Sequence, residues 1–151
     1  MDKQTAQSKS EHYCAYQERS KQEVRNKLYE WAVASEDIDD IIFYLEEHRY
    51  LHEERFAESY SMGKFRMKNW GKIKIRQGLI MKGVSEIIIK EALNAIPVED
   101  YRRKLKQIIR KKMEMNENLP QAQKNHNAAK YAFSQGYEPD LVWQLIEKLD
   151  F

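Results

Sequence analysis

The chain has 151 residues, of which 42% are hydrophobic and 33% are charged, and its 26 basic and 24 acidic side chains give a formal net charge of +2. This length allows one or two small domains with a modest core. No run approaches the roughly 18 to 20 consecutive apolar residues of a membrane-spanning helix, and the single cysteine, Cys14, excludes an internal disulfide and a cysteine zinc site.

Helix is the predicted structure along the whole chain. Five glycines and three prolines are few for a β-rich protein built on tight turns. The apolar residues also recur at helical spacing, as Val24, Leu28 and Trp31 do at i, i+4 and i+7. The sequence therefore predicts an all-α protein.

Start and stop signals divide the chain into about nine short helices. Ser20 and Glu23 form an S-x-x-E capping box, in which each side chain satisfies a free backbone N–H. Ser35, followed by acidic residues, predicts the N-cap of the next helix. Further along the chain, Asn69, Ser85 and Pro139 predict three more helix starts. Pro97 predicts the end of the helix that finishes near Ala95, and Pro120 lies in a predicted connector.

The helices repeat with a period of about 50 residues. Before the turn that follows the second helix, residues of the first unit recur 51 positions later, in the pairs Val24 and Ile75, and Leu28 and Leu79. After that turn they recur 50 positions later, in the pairs Ser35 and Ser85, Ile38 and Ile88, and Ile42 and Ala92. A third copy follows at a constant offset of 53, with Ala128, Ala132, Gly136, Leu141 and Leu145. With preceding helices near residues 5–17, 53–66 and 98–115, the pattern predicts three tandem three-helix repeats, over residues 1–50, 51–96 and 97–151, in an elongated, curved array. The alternative is that any amphipathic helices align once gaps are allowed; the matching turn residues favour the repeat.

The charges are strongly segregated. Residues 30–60 carry a net charge of -8, whereas residues 64–112 carry +11. The basic segment suits a phosphate backbone, because each neutralised phosphate releases a counterion. A solvated helix face is the structural alternative. An anionic membrane surface is disfavoured, because the apolar stripe of residues 101–113 is needed for packing.

Catalytic and metal-binding patterns are weak. His48 and His52 lie four residues apart, but their order is not H-E-x-x-H and no third ligand is evident. Phosphate-binding glycine motifs are absent from the sequence. The three tryptophans, Trp31, Trp70 and Trp143, fit helix stripes and are predicted to pack in the core rather than stack on bases. We therefore expect no enzyme activity, cofactor or metal.

Four segments in register resemble the RecX regulatory proteins. The segment from Tyr50 to Tyr60, YLHEERFAESY, resembles that family's gyLdDerFAexy signature, and residues 70–93 are similar to its GxxxIrqeLxxKGIs...eeAL block. Residues 19–28 resemble the opening RsxxELxxkL, and residues 135–141 the closing rGFsxexI. Two departures stand out: Arg49 replaces a usual glycine, and residues 31–34 lack the KG of the first repeat.

The resemblance implies a modulator of the RecA recombinase. Such a protein would lie along the RecA filament on single-stranded DNA and mainly inhibit its recombinase, ATPase and coprotease activities, without being an enzyme. We expect a monomer with no cofactor. We also expect it to be cytoplasmic, since the N-terminus has no apolar stretch typical of a secretory signal. The residues expected to face phosphate or an acidic filament surface are Lys64, Lys72, Lys74, Arg76, Lys82, Arg102, Arg103, Lys106 and Arg110.

Two other functions stay open. An autonomous DNA-binding module of helix-turn-helix type would bind duplex DNA with sequence preference. A scaffold would use its acidic and basic faces only to pair with other proteins.

Overall fold

The computed structural model describes residues 1–149, and in that part of the chain all regular structure is helical. The all-α prediction is confirmed. The helices are α1 (Lys3–Tyr16), α2 (Lys21–Glu30), α3 (Ser35–Glu47), α4 (Glu53–Lys68), α5 (Lys72–Met81), α6 (Glu86–Asn94), α7 (Val98–Met115), α8 (Gln121–Ser134) and α9 (Pro139–Lys148).

The helices form two compact units. Unit 1 contains residues 1–60 and 79–92, and unit 2 contains residues 61–78 with those from 93 onward. Within unit 1, helices α1, α2 and α3 pack against one another, and within unit 2, helices α7, α8 and α9 do the same. The predicted repeat boundaries at residues 50 and 96 stay a prediction. The two units are defined by which residues contact one another, and such a division does not test where one repeat ends and the next begins.

Each unit buries the apolar stripes that the sequence pattern predicts. In unit 1, Val24, Leu28 and Leu45 are fully buried together with neighbours from α1. In unit 2, Ile75 and Leu105 are fully buried. Burial of such side chains contributes roughly 1.5 to 3 kcal/mol each, which makes helix packing the main source of stability.

The same turn ends the second helix of all three predicted repeats. A residue with positive φ follows each helix: Ala32 at 57°, Gly83 at 78° and Gly136 at 97°. The next residue donates its N–H to the carbonyl five positions back, in the pairs Val33 to Leu28, Val84 to Leu79 and Tyr137 to Ala132, each at 3.1 Å. This is the Schellman motif, which favours glycine at the left-handed position and an apolar residue after it.

The structure corrects the register of the first two repeats. The first carbonyl to accept a helical hydrogen bond belongs to Ala34 in α3, from the Ile38 N–H, and to Ser85 in α6, from the Ile89 N–H. Ala34 and Ser85 are 51 residues apart, so the offset is 51 after the turn as well as before it. The N-cap of α3 is therefore Ala34, which makes no side-chain capping hydrogen bond. Ser35 is the first residue of the helix, contrary to the prediction that it is the N-cap. Likewise Ile89, rather than the half-buried Ile88, is the buried partner of Ile38.

The prediction that the tryptophans pack in the core is confirmed for Trp31 but not for Trp70 and Trp143. Trp31 is half-buried and packs at the edge of the unit 1 core against Tyr13, with ring centroids 6.3 Å apart. Trp70 is also half-buried, and Trp143 is 39% exposed. Helical spacing places a residue near the apolar stripe, but the width of the stripe decides whether a large ring is covered.

Candidate nucleic-acid interface

The loop from Asn69 to Gly71 joins α4 to α5 in unit 2. Asn69 adopts a positive φ of 60°, which ends α4, and Trp70 donates its N–H to the Lys64 carbonyl at 3.1 Å. Asparagine tolerates this conformation better than most residues with a side chain. The prediction that Asn69 starts a helix is therefore wrong: Asn69 ends α4, and α5 begins at Lys72.

This loop is held by direct backbone contact with the end of α8. The Gly71 N–H donates to the Gln135 carbonyl at 2.7 Å, and the Ile73 N–H donates to the Gly136 carbonyl at 2.9 Å. A Cβ on Gly71 would lie 2.4 Å from backbone atoms of Gly136. Only glycine permits this approach, so the loop has a fixed position on unit 2.

Tyr101 supplies the N-terminal cap of α5. Its hydroxyl accepts the Lys72 N–H at 2.9 Å and donates to the carboxylate of Glu138. The ring is buried between Phe65 and Tyr137, at centroid distances of 5.9 and 5.1 Å. Burial and the Glu138 carboxylate raise the pKa of the Tyr101 hydroxyl well above its usual range, so the hydroxyl remains a donor.

Two ammonium groups lie over the ring of Trp70. The Nζ atoms of Lys64, from α4, and Lys74, from α5, are 4.8 and 4.7 Å from the ring centroid. Both distances fall within the range of cation–π attraction. A half-exposed indole beside two cations can stack on a base while the cations meet phosphates.

A third lysine, Lys104 of α7, approaches the same loop. Its Nζ donates to the Asn69 side-chain oxygen at 3.0 Å and lies 5.4 Å from the Phe65 ring centroid. We call Lys64, Trp70, Lys74 and Lys104 the Trp70 cluster. Neither Trp70 nor Lys104 was among the predicted site residues, although a tryptophan set among lysines at residues 64–74 is a readable signal.

The other predicted basic residues are distributed as follows. Lys72 places its Nζ 4.9 Å from the Tyr101 ring centroid, and Arg103 pairs with Asp100 at 3.0 Å. Lys82 belongs to unit 1, where it pairs with Glu23 at 3.5 Å. The remaining predicted residues, half-buried or exposed on α5 and α7 of unit 2, are Arg76, Arg102, Lys106 and Arg110.

The histidines considered as metal ligands make local contacts. His48 Nδ1 lies 3.0 Å from the Tyr44 carbonyl oxygen, and His52 Nδ1 accepts the Arg55 N–H at 3.0 Å. Among the described residues, His, Cys, Asp and Glu side chains form no group of three suited to a metal ion. In residues 1–149, no helix combines the length and apolarity that crossing a bilayer requires.

Family comparisons match the part of the chain from α1 to α6. The family model described as "RecX, first three-helix domain" matches residues 6–45, and the one described as "RecX, second three-helix domain" matches residues 53–93. Together these matches cover more than half of the chain.

Curated relatives carry the same description. The regulatory protein RecX of Oceanobacillus iheyensis is 26% identical over 139 residues, which are 92% of this chain and 51% of that protein. The RecX of Lactococcus lactis subsp. lactis is 35% identical over 100 residues, which cover 64% of this chain and 37% of that protein. This chain spans about half the length of the curated relatives it matches.

Two solved structures share the fold. The crystal structure of RecX from Lactobacillus salivarius superimposes with a TM-score of 0.91 at 22% identity, over 98% of this chain and 96% of that one. A second, described as the crystal structure of regulatory protein RecX, gives a TM-score of 0.87 at 23% identity, over 97% and 72%.

Proposed function

Because this chain belongs to the RecX family of regulatory proteins, we propose that it binds the RecA filament on single-stranded DNA and modulates, mainly by inhibition, its recombinase, ATPase and coprotease activities. It acts by binding, without catalytic residues or a cofactor, as a cytoplasmic monomer. Residues 1–50, 51–96 and 97–151 are its repeating units.

The Trp70 cluster is the observation that supports contact with single-stranded DNA. Unpaired strands expose base faces for stacking, which contributes roughly 1 to 3 kcal/mol per base on an aromatic side chain. The ammonium groups of Lys64 and Lys74 lie over the indole ring, 4.8 and 4.7 Å from its centroid, and a base that stacks there would displace them toward its flanking phosphates. Such binding has little sequence preference and depends steeply on salt.

The helix-turn-helix alternative fits the charges less well. In that mode one helix of a three-helix unit enters the major groove, between two rows of phosphates. Helix α3 of unit 1 carries six acidic residues and no basic one. Helix α9 of unit 2 begins after Glu138 and exposes Asp140 in its first turn. Helices α3 and α9 would both meet phosphates with negative charge, so we favour the single-strand mode.

The proposed function is tested with the RecA of the same organism. The protein is added to RecA filaments on single-stranded DNA, and ATP hydrolysis is followed. We expect inhibition that rises with protein concentration. Unchanged hydrolysis at saturating protein would refute the proposal.

The Trp70 cluster is tested with single-stranded and duplex DNA across a salt series. Trp70→Ala should weaken single-strand binding by roughly 1 to 3 kcal/mol, and Lys74→Gln should reduce the salt slope by about 0.7. Trp143→Ala is the matched control, because Trp143 is a partly exposed indole of the same unit that packs on Phe133. Equal losses for both tryptophan variants would contradict the assignment.

A further variant separates DNA contact from a purely protein-binding scaffold. It reverses four basic residues to glutamate, namely Lys72, Arg76, Arg102 and Arg103. We expect this variant to lose both DNA and filament binding. Intact binding to both would instead favour the scaffold function.

A further inference from the structure

Helix α3 of unit 1 presents a large apolar side chain to solvent. Its buried face consists of Ile38, Ile41, Ile42 and Leu45, whereas Phe43, on the opposite face, is 64% exposed. Residues three and four positions away on a helix are the nearest surface neighbours of a side chain. For Phe43 these four neighbours are all acidic and exposed: Asp39, Asp40, Glu46 and Glu47.

Three of the four carboxylates are held in place by cations of α1 and α2. The ion pairs are Lys3 with Asp40 at 2.9 Å, Arg25 with Asp39 at 2.9 Å, and Lys21 with Glu46 at 3.3 Å. All three pairs lie within unit 1. They orient these carboxylates around the ring, and the four carboxylates of the frame outnumber the three cations by one. The face keeps a net negative charge.

An apolar ring in an acidic frame selects one kind of ligand. Negative charge repels DNA phosphates and anionic lipid headgroups, so neither suits this face. Binding energy at protein interfaces concentrates in a few anchors, aromatic ones among them, that enter a pocket and are surrounded by contacts that exclude water. Charges around such an anchor set the choice of partner and the speed of encounter.

We propose that Phe43 and its acidic frame form a docking surface for a basic protein surface that has an apolar pocket. The inference rests on the proposed function, under which the basic surface belongs to the protein subunits of the filament. Unit 1 then provides the protein contact through α3, and unit 2 provides the DNA contact through the Trp70 cluster.

The test compares three variants on immobilised filaments and on single-stranded DNA alone. Phe43→Ala should weaken filament binding at least tenfold and leave DNA binding within twofold of wild type. Phe43→Lys should weaken filament binding further, because it places a cation against the basic partner. It should still fold, since lysine gains helix contacts with Asp39 and Glu47. Tyr29→Ala, which removes a 54% exposed ring from α2 of the same unit, should change neither affinity.

Several results would overturn the inference. Filament binding by Phe43→Ala that equals wild type would show that the ring is not an anchor, and an equal loss with Tyr29→Ala would show general surface stickiness. If wild type sediments as a dimer and Phe43→Ala sediments as a monomer, the face binds a second copy of this chain instead of the filament. These results differ from failure of the proposed function, in which wild type itself binds no filament and the inference falls with it.

Discussion

Gly71→Ala should detach the start of α5 from α8 while leaving each helix intact. The added Cβ would lie 2.4 Å from the carbonyl carbon and oxygen of Gly136 and 2.5 Å from the Tyr137 nitrogen. These are backbone atoms at the end of a helix, so no side-chain rotation can relieve the overlap. An ordinary contact begins near 3.4 Å, and the two segments must therefore move apart by about 1 Å.

This displacement has two energetic consequences. Overpacking of a close contact costs roughly 1 to 3 kcal/mol. Movement by about 1 Å also breaks the hydrogen bonds of the Gly71 and Ile73 amides, which are 2.7 and 2.9 Å long, at roughly 0.5 to 1.5 kcal/mol each. We expect unit 2 to lose about 3 kcal/mol, or a shift of about 1 to 2 M in the urea midpoint.

Gly63→Ala is the matched control. Gly63 lies within α4 and belongs to the same unit, and a Cβ there would meet no atom within 4 Å. Alanine in an open helical position should stabilise the chain by about 0.5 to 1 kcal/mol. The two glycine variants should thus shift stability in opposite directions.

Urea unfolding followed by circular dichroism measures the stabilities, and hydrogen exchange of residues 71–78 locates the change. We also expect Gly71→Ala to weaken single-strand binding, since it displaces the loop that carries Trp70. A midpoint within 0.3 M of wild type, about 0.6 kcal/mol, would refute the reasoning, as would unchanged exchange at the Gly71 and Ile73 amides.

Three further predictions concern caps and turns. Ala32→Gly should stabilise unit 1 by about 1 kcal/mol in thermal unfolding, because Ala32 has a φ of 57° that glycine adopts without strain; a lower melting temperature would contradict this. Ser20→Ala should cost about 1 kcal/mol, since Ser20 accepts the Glu23 N–H at 3.0 Å, whereas Ser35→Ala should be neutral; equal effects would show that the register correction is wrong. Tyr101→Phe should cost about 1 kcal/mol, because it leaves a half-buried N–H and a half-buried carboxylate without their partner. The raised pKa of Tyr101 also means that wild type loses stability as pH rises through about 10, where the unfolded tyrosine deprotonates first, and Tyr101→Phe should reduce that loss; identical alkaline unfolding curves would refute it.

Periodicity was enough to predict the helical class and the buried stripes of the first two predicted repeats. Val24 and Leu28 recur as Ile75 and Leu79, and these positions are buried as the pattern requires. The register failed after the first turn because Ser35 matched Ser85 by residue type, although Ala34 occupies the cap position. The turn that ends the second helix could not be recognised from the sequence in the first repeat. Ala32 there adopts the positive φ that Gly83 and Gly136 adopt in the other two repeats, so the glycine that usually marks this turn is missing.

The candidate site was predicted less well than the fold. Residue type and segment charge singled out Lys64 and Lys74, but they also singled out Lys82, which pairs with Glu23 in unit 1. Trp70 was assigned to the core because helical spacing alone cannot show whether a loop or a helix carries a residue. The roles of all nine predicted basic residues stay predictions.

Residue order alone predicts the helical class, the period of about 50 residues, the segregation of charge and the resemblance to RecX proteins. These properties follow from residue order, because hydrophobic spacing and capping act over a few positions. The packing of the helices brings Gly71 against Gly136, places Tyr101 as the cap of α5, and sets two lysines over Trp70. These contacts join residues far apart in the chain or depend on how a loop is held, and backbone approach and ring exposure are fixed only when helices pack.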